Sequence, residues 1–256
     1  MIRTERRGKA LAVVTIDRPA KRNALDRESW GALGQAFTTL RADPALRAIV
    51  LTGAGGAFCA GDDIAAFAAV RDDPAARQVY WDTIMDCYAA VSAARVPVVA
   101  AVSGPCVGGG CTLALRCDFR IADRTARFGV PPARLGLVYP PDSTQLLVAT
   151  AGVGMAKRML YTGALIDAES AHACGLATDL ADDPVAGAVA FVEPMLASAP
   201  LSLAASKLAC DGAMMGRMAD VADEVMAMSR RADASEDYRE GTRAFAEKRA
   251  PVFVGR

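Results

Sequence analysis

The residues in this chain best suited to chemistry lie in two glycine-bounded turns. One is Phe58-Cys59-Ala60-Gly61-Asp62-Asp63-Ile64; the other is Gly104-Pro105-Cys106-Val107-Gly108-Gly109-Gly110-Cys111-Thr112. Each follows an apolar strand pattern and leads toward a helix. Glycine lets the main chain approach a ligand, and a helix start leaves unpaired N–H groups at the positive end of the dipole. Two such N–H groups aimed at one carbonyl oxygen stabilise an enolate or a tetrahedral intermediate.

Other side chains add acid, base or charge. Asp62 and Asp63 are neighbours, so one of them has a raised pKa if it is desolvated, while Asp63 reads as a brace of the turn through hydrogen bonds. Tyr139 is either a proton donor or an amphipathic rim residue packed among prolines. Asp142 is placed to cap a helix or to act as an acid or base. Arg134 can grip a carboxylate through its planar fork or lie solvated in a loop. Cys59, Cys106 and Cys111 flank the presumed hole, and small-residue packing explains them without nucleophilic chemistry. The single histidine, His172, has no partner histidine, so no metal site is expected.

Strand-like runs at Ala10–Ile16, Ala48–Thr52, Val96–Val102 and Asp118–Ala122 alternate with helical ones, which implies an α/β core. In the helix Asp26–Arg41, Asp26 can cap while Trp30, Leu33, Phe37 and Leu40 share a face. Asp73-Pro74 opens a helix reaching about Arg95. Beyond Ala122 the pattern turns helical, at Ser143–Ala151, Val153–Tyr161, Asp167–Cys174, Pro184–Ala199, Leu203–Gly212, Gly216–Ala232 and Glu236–Lys248. With no linker or repeat, the 256 residues suit one large core with a helical cap.

Composition narrows the function classes. At 53% hydrophobic and 23% charged residues the chain is a compact folder rather than a disordered one. Its 29 basic and 29 acidic residues balance, which gives no global attraction to nucleic acid or an anionic membrane. The N-terminus lacks the apolar length of a signal peptide, and no apolar run is long enough to span a bilayer. Seven cysteines without CxxC spacing suit a reducing compartment. A soluble, cytoplasmic protein is expected.

Arg18-Pro19-Ala20-Lys21-Arg22-Asn23-Ala24-Leu25, Val50-Leu51-Thr52-Gly53, the two glycine turns and Cys117-Asp118 resemble the ordered signature of the enoyl-CoA hydratase/isomerase, or crotonase, superfamily. The likeness continues through Gly163, Ala168 and Cys174-Gly175-Leu176 to Ala244-Phe245-Ala246-Glu247-Lys248-Arg249-Ala250-Pro251-Val252-Phe253. It implies an α/β fold, a crotonase-like spiral of ββα units over residues 1–200 with a helical C-terminal trimerisation region over 201–256. It also implies a homotrimer or dimer of trimers and an acyl-CoA substrate, with no cofactor beyond the coenzyme A moiety.

Residue by residue, the resemblance puts oxyanion-hole amides at Asp62, after Gly61, and at Gly109, after Gly108. Asn23, Ala24, Leu25, Ala60 and Ile64 match positions lining the coenzyme A and pantetheine path. Arg22, Phe245 and Lys248 resemble positions near the nucleotide, the last two reaching a neighbouring subunit. Hydratases of the family resemble two-carboxylate machines, yet the two matching positions hold Thr112 and Pro132, which supply neither acid nor base near neutral pH. Decarboxylation of a malonyl-type thioester needs no base. Pro131 to Tyr139 resembles the corresponding segment of methylmalonyl-CoA decarboxylase, although that enzyme keeps a glutamate where Thr112 stands. The alternatives are a hydratase or isomerase with relocated acid/base groups, at Tyr139, Asp142 or a water, and a silent acyl-CoA-binding protein.

Overall fold

The computed structural model describes residues 1–256. Strands β1 (Ile2–Arg7) and β2 (Leu11–Ile16) form an antiparallel hairpin, with Ile2 opposite Ile16 and Arg7 opposite Leu11. Helix α1 (Arg27–Arg41) starts where the Asp26 carboxylate accepts the Ser29 N–H, and it buries Trp30, Leu33, Phe37 and Leu40 on one face. Then come β3 (Ala48–Gly53), α2 (Ile64–Ala68) and α3 (Pro74–Ser92), the last capped by Asp73. Strands β4 (Val98–Val102) and β5 (Pro105–Val107) lead into α4 (Gly109–Leu115). Strands β6 (Phe119–Ala122) and β7 (Arg127–Gly129) lead into α5 (Pro141–Thr162). Strand β8 (Ile166–Asp167), α6 (Ala168–Ala173) and β9 (Asp179–Leu180) follow. Helices α7 (Pro184–Leu196), α8 (Pro200–Met214), α9 (Met218–Asp233) and α10 (Glu236–Glu247) close the chain.

One sheet runs β1-β2-β3-β4-β6-β9, parallel apart from β1, and a smaller one runs β5-β7-β8. The β4-β5-α4 and β6-β7-α5 units each give one strand to either sheet before a helix, so the chain winds as a ββα spiral. The central strands are apolar on both faces. Ala12, Val14, Ile49, Leu51, Val98 and Ala100 face the main core with α1 and α3, while Val13, Val50, Val99 and Ala101 face α7 through Ala188 and Val192.

Several expectations change in detail. Residues Ile2–Arg7 form an edge strand that went unrecognised in the sequence, because five of its six residues are exposed and charged or polar. Strands β5, β7, β8 and β9 are two or three residues long and carry no periodic signal. The expected break between the Ser143 and Val153 helices falls at Gly152, whose φ of 76° and ψ of 154° bend α5 there. The outer helices bury little, Gly212 alone in α8 and no residue in α9. Asp237 anchors the C-terminal tail by accepting the Val254 and Gly255 N–H groups at 2.7 and 2.8 Å. No single helix is long and apolar enough to cross a membrane.

Candidate active site

The first glycine turn is held from both sides by main-chain hydrogen bonds. Ala60 N–H donates to the Arg22 carbonyl at 3.0 Å, Leu25 N–H to Gly61 at 2.8 Å, and Asp63 N–H to Leu25 at 2.9 Å. On the other flank Cys59 N–H donates to Pro105 at 2.9 Å and Val107 N–H to Cys59 at 3.0 Å. The turn thus joins the edge of β5. Asn23, fully buried, locks the segment before it: its amide donates to the Ala54 and Ala57 carbonyls at 2.9 and 2.6 Å, and its Oδ1 accepts the Arg18 N–H at 2.8 Å. Arg18 also binds the Ala24 carbonyl and lies 2.7 Å from Asp26 and 3.6 Å from Asp63. Asp63 is therefore a brace, as expected, but through ion pairs with Arg18 and, at 3.7 Å, Lys21 rather than through hydrogen bonds.

The second turn lies directly against the first. A Cβ on Gly61, where φ is +93°, would fall 2.7 Å from the Val107 oxygen and 3.1 Å from the Gly109 nitrogen; one on Gly110 would fall 2.1 Å from the Cys59 oxygen. Only glycine allows this approach. Gly108 N–H donates to the Gly129 carbonyl at 2.8 Å, and Thr112 N–H to Gly108 at 3.0 Å begins α4. The Asp62 and Gly109 N–H groups donate to no main-chain carbonyl and to no other residue's side chain. Two free amides on adjacent strands of chain are what an oxyanion hole requires.

Around these amides the side chains are largely neutral. Asp62 Oδ1 accepts the Trp30 indole N–H at 3.0 Å, and burial pushes its carboxyl upward although that bond opposes the shift. Tyr88 O–H donates to the Gly109 carbonyl at 3.1 Å, its ring meeting Trp30 edge-on at 5.4 Å. The Thr112 and Tyr139 hydroxyls lie 2.6 Å apart, and Thr112 is within 3.2 Å of the Gly108 carbonyl. Burial drives both tyrosine hydroxyls well above their usual range, so each keeps its proton. Cys59, Cys106 and Cys111 are buried, and burial pushes the Cys59 thiol up to about 12, as packing residues require.

A family model described as enoyl-CoA hydratase/isomerase matches residues 6–256. The chain belongs to the enoyl-CoA hydratase/isomerase family. It is 35% identical over 255 residues to a crotonyl-CoA hydratase of Syntrophomonas wolfei, covering 96% of this chain and 95% of that one. It is 34% identical to a 2,3-dehydroadipyl-CoA hydratase of Escherichia coli, covering 98% and 97%. The structure of an enoyl-CoA hydratase/carnithine racemase from Magnetospirillum magneticum superposes with a TM-score of 0.90 at 34% identity, over 100% of this chain and 96% of that one. The α/β core expected from the residues, and the crotonase fold implied by the resemblance, are the fold of this enoyl-CoA hydratase/isomerase family member.

The remaining candidate residues of this family member separate into those near the two free amides and those away from them. Ala24, Leu25 and Ala60 belong to the ladder beside the first turn, with Arg22 exposed at a φ of 50° and Ile64 68% exposed at the start of α2. Pro132 opens a short 3-10 turn. Arg134 in that turn packs across Gly163, its Nε 3.3 Å from the Thr162 carbonyl, so its fork serves the end of α5. Asp142 lies 2.5 Å from Arg116. Burial pulls its carboxyl upward, but the Arg116 hydrogen bond and charge, with Ser143, outweigh that and hold it below the usual range. Phe245 and the exposed Lys248 lie on and after α10, Phe245 lining a cavity of about 460 Å³ with residues of α8 and α9. Sequence reasoning missed the polar roles of Trp30, Tyr88 and Arg116; Trp30 was legible only as a core position of α1.

Proposed function

We propose that this chain binds acyl-CoA thioesters and stabilises a thioester enolate between the Asp62 and Gly109 amides, the enolate arising by loss of carbon dioxide from a malonyl-type acyl group. The observation that carries this reading is the Thr112–Tyr139 hydroxyl pair, 2.6 Å apart, in which Thr112 stands at one of the two positions where the resemblance leads one to look for a carboxylate. Neither hydroxyl removes a carbon-bound proton near neutral pH. Decarboxylation asks for none. The bond to the carboxylate breaks, its electron pair enters the enolate, carbon dioxide leaves, and the α carbon takes a proton from Tyr139, which recovers one from solvent. Asp142 is already engaged by Arg116 and is a poor acid for this step.

In the same reading Arg22 and Lys248 contribute charge at the coenzyme A nucleotide, and Phe245 and Lys248 reach a neighbouring subunit of a trimer or dimer of trimers in the cytoplasm. No cofactor beyond the coenzyme A moiety is needed. A second reading, hydration or isomerisation of an enoyl thioester, is favoured by relatives named as hydratases at 34–35% identity. The test offers the purified protein methylmalonyl-CoA, ethylmalonyl-CoA and crotonyl-CoA. Carbon dioxide release with very slow crotonyl-CoA hydration supports decarboxylation. Rapid hydration without carbon dioxide release overturns it in favour of the second reading, and firm acyl-CoA binding with no turnover of any of the three favours a silent binder.

A further inference from the structure

Asp62 brings more than its amide to the two turns. Its Oδ2 lies 3.2 Å from where a Cβ on Gly109 would sit, and its Oδ1 is anchored 3.0 Å from the Trp30 Nε1. The side chain therefore leaves the turn that carries one of the paired amides and lies beside Gly109, the residue that carries the other. A thioester oxygen received by those amides meets this carboxyl at close range. What happens then depends on its proton.

We propose that the Asp62 carboxyl is a third, titratable member of the oxyanion hole: ionised, it covers the amides in place of the thioester oxygen, and protonated, it donates a hydrogen bond to that oxygen. The proposal rests on the assignment of the Asp62 and Gly109 amides to the thioester oxygen. An anion beside a developing enolate repels it strongly in a poorly solvated site, whereas a neutral acid adds a donor. The groups facing Asp62 leave it without a cation. Trp30 comes from α1, Tyr80 and Tyr88 from α3, and Cys59 from its own turn, while α4 offers only Gly109 at this point. Burial pushes the two tyrosines and Cys59 upward, so they stay neutral. The nearby charges are already paired, Arg18 with Asp26 and Asp63, Lys21 with Asp63, and Arg116, whose guanidinium sits over the Tyr88 ring, with Asp142. Burial moves the Asp62 carboxyl toward its neutral form.

The test compares acetyl-CoA with S-ethyl-CoA, a thioether of the same length without the carbonyl oxygen, by calorimetric titration between about pH 5 and about pH 8. The ratio of the two affinities isolates the carbonyl oxygen, because changes at the nucleotide cancel. In the wild-type protein the preference for the thioester should grow by about twofold to tenfold as the pH falls, the range of one added hydrogen bond. Asp62→Asn, nearly isosteric and always neutral, should hold that preference at one value across the range. Trp30→Phe removes a bond that favours the carboxylate, so its midpoint should move to higher pH. A wild-type preference independent of pH, or a pH dependence that survives in Asp62→Asn, overturns the proposal. Equal affinity for thioester and thioether at every pH in both proteins would instead remove the amide assignment beneath it.

Discussion

Asp62 and Asp142 are two carboxyls near the same glycine turns, and their surroundings push them in opposite directions. Asp62 has an indole N–H for a partner but no cation, and burial raises it. Asp142 is buried less and meets Arg116 at 2.5 Å, so it stays ionised. The difference shows that residue type does not decide which aspartate can carry a proton; a neighbouring guanidinium does. It also separates the two sides of the paired glycine turns, a neutral side built from the Tyr88, Thr112 and Tyr139 hydroxyls, where Asp62 has no cation, and a charged one where Arg116 meets Asp142 and keeps its buried Nε without a partner.

The comparison breaks most visibly at Tyr139. If the neutral side delivers the proton through its hydroxyl pair, Tyr139→Phe should slow carbon dioxide release from methylmalonyl-CoA by about a hundredfold to ten-thousandfold, the usual contribution of one positioned proton donor. Deuterium incorporation into the product in heavy water reads the same step. An unchanged rate would move the donor role to another member of the neutral side. Gly109→Pro should cost about a hundredfold to a thousandfold in turnover by deleting one amide donor, since proline is tolerated at the first position of a helix. Because Trp30, Tyr88 and Asp62 crowd this position at 3.1 to 3.2 Å, circular dichroism must accompany the kinetics.

The two carboxyls themselves give a smaller effect with opposite signs. The raised Asp62 contributes stability that is present below its unfolded pKa, about 3.9, and lost as pH rises through the folded value. The depressed Asp142 contributes stability present above about 3.9 and lost as pH falls through its folded value. Urea unfolding across pH should therefore show Asp62→Asn gaining on the wild type as pH rises above that point and Asp142→Asn losing on it as pH rises toward it. Curves of the same sign would collapse the comparison. Arg116→Met sharpens it, because Asp142 without its cation should titrate higher, which an NMR titration of its carboxyl resonance reads. Smallest of all, Arg22→Ala and Lys248→Ala should each weaken coenzyme A binding by about 0.2–1 kcal/mol, less at high salt, and leave both carboxyls unaffected. Calorimetry over a salt series checks this.

Much of the site was legible along the chain. Gly61 and the Gly108 to Gly110 run announced close main-chain approach, and their flanking strand patterns placed them at strand ends. Gly152 marked the bend in α5, and Asp26 and Asp73 marked helix starts, because caps and breaks are decided by the residue in place. The α/β class followed from alternating apolar periods. Arg134 was legible only as a residue type able to hold a carboxylate; its contact with Thr162 depends on a bond across 28 positions. The edge strand Ile2–Arg7 escaped for the converse reason, since pairing with β2 holds it in place without an apolar pattern of its own.

The amino-acid sequence by itself determined the two glycine turns, the family likeness, and the hydroxyl and proline at positions 112 and 132 where that likeness leads one to look for carboxylates. Those are properties of residue type and spacing, and they survive without a fold. Only the tertiary structure decided which aspartate burial raises and which is paired with a cation, and which hydroxyl meets Thr112. Trp30 reaches Asp62 across 32 positions, Tyr88 reaches Gly109 across 21 and Arg116 reaches Asp142 across 26. A carboxyl's proton is set by its burial and by the charges around it, and both are created when distant segments pack together.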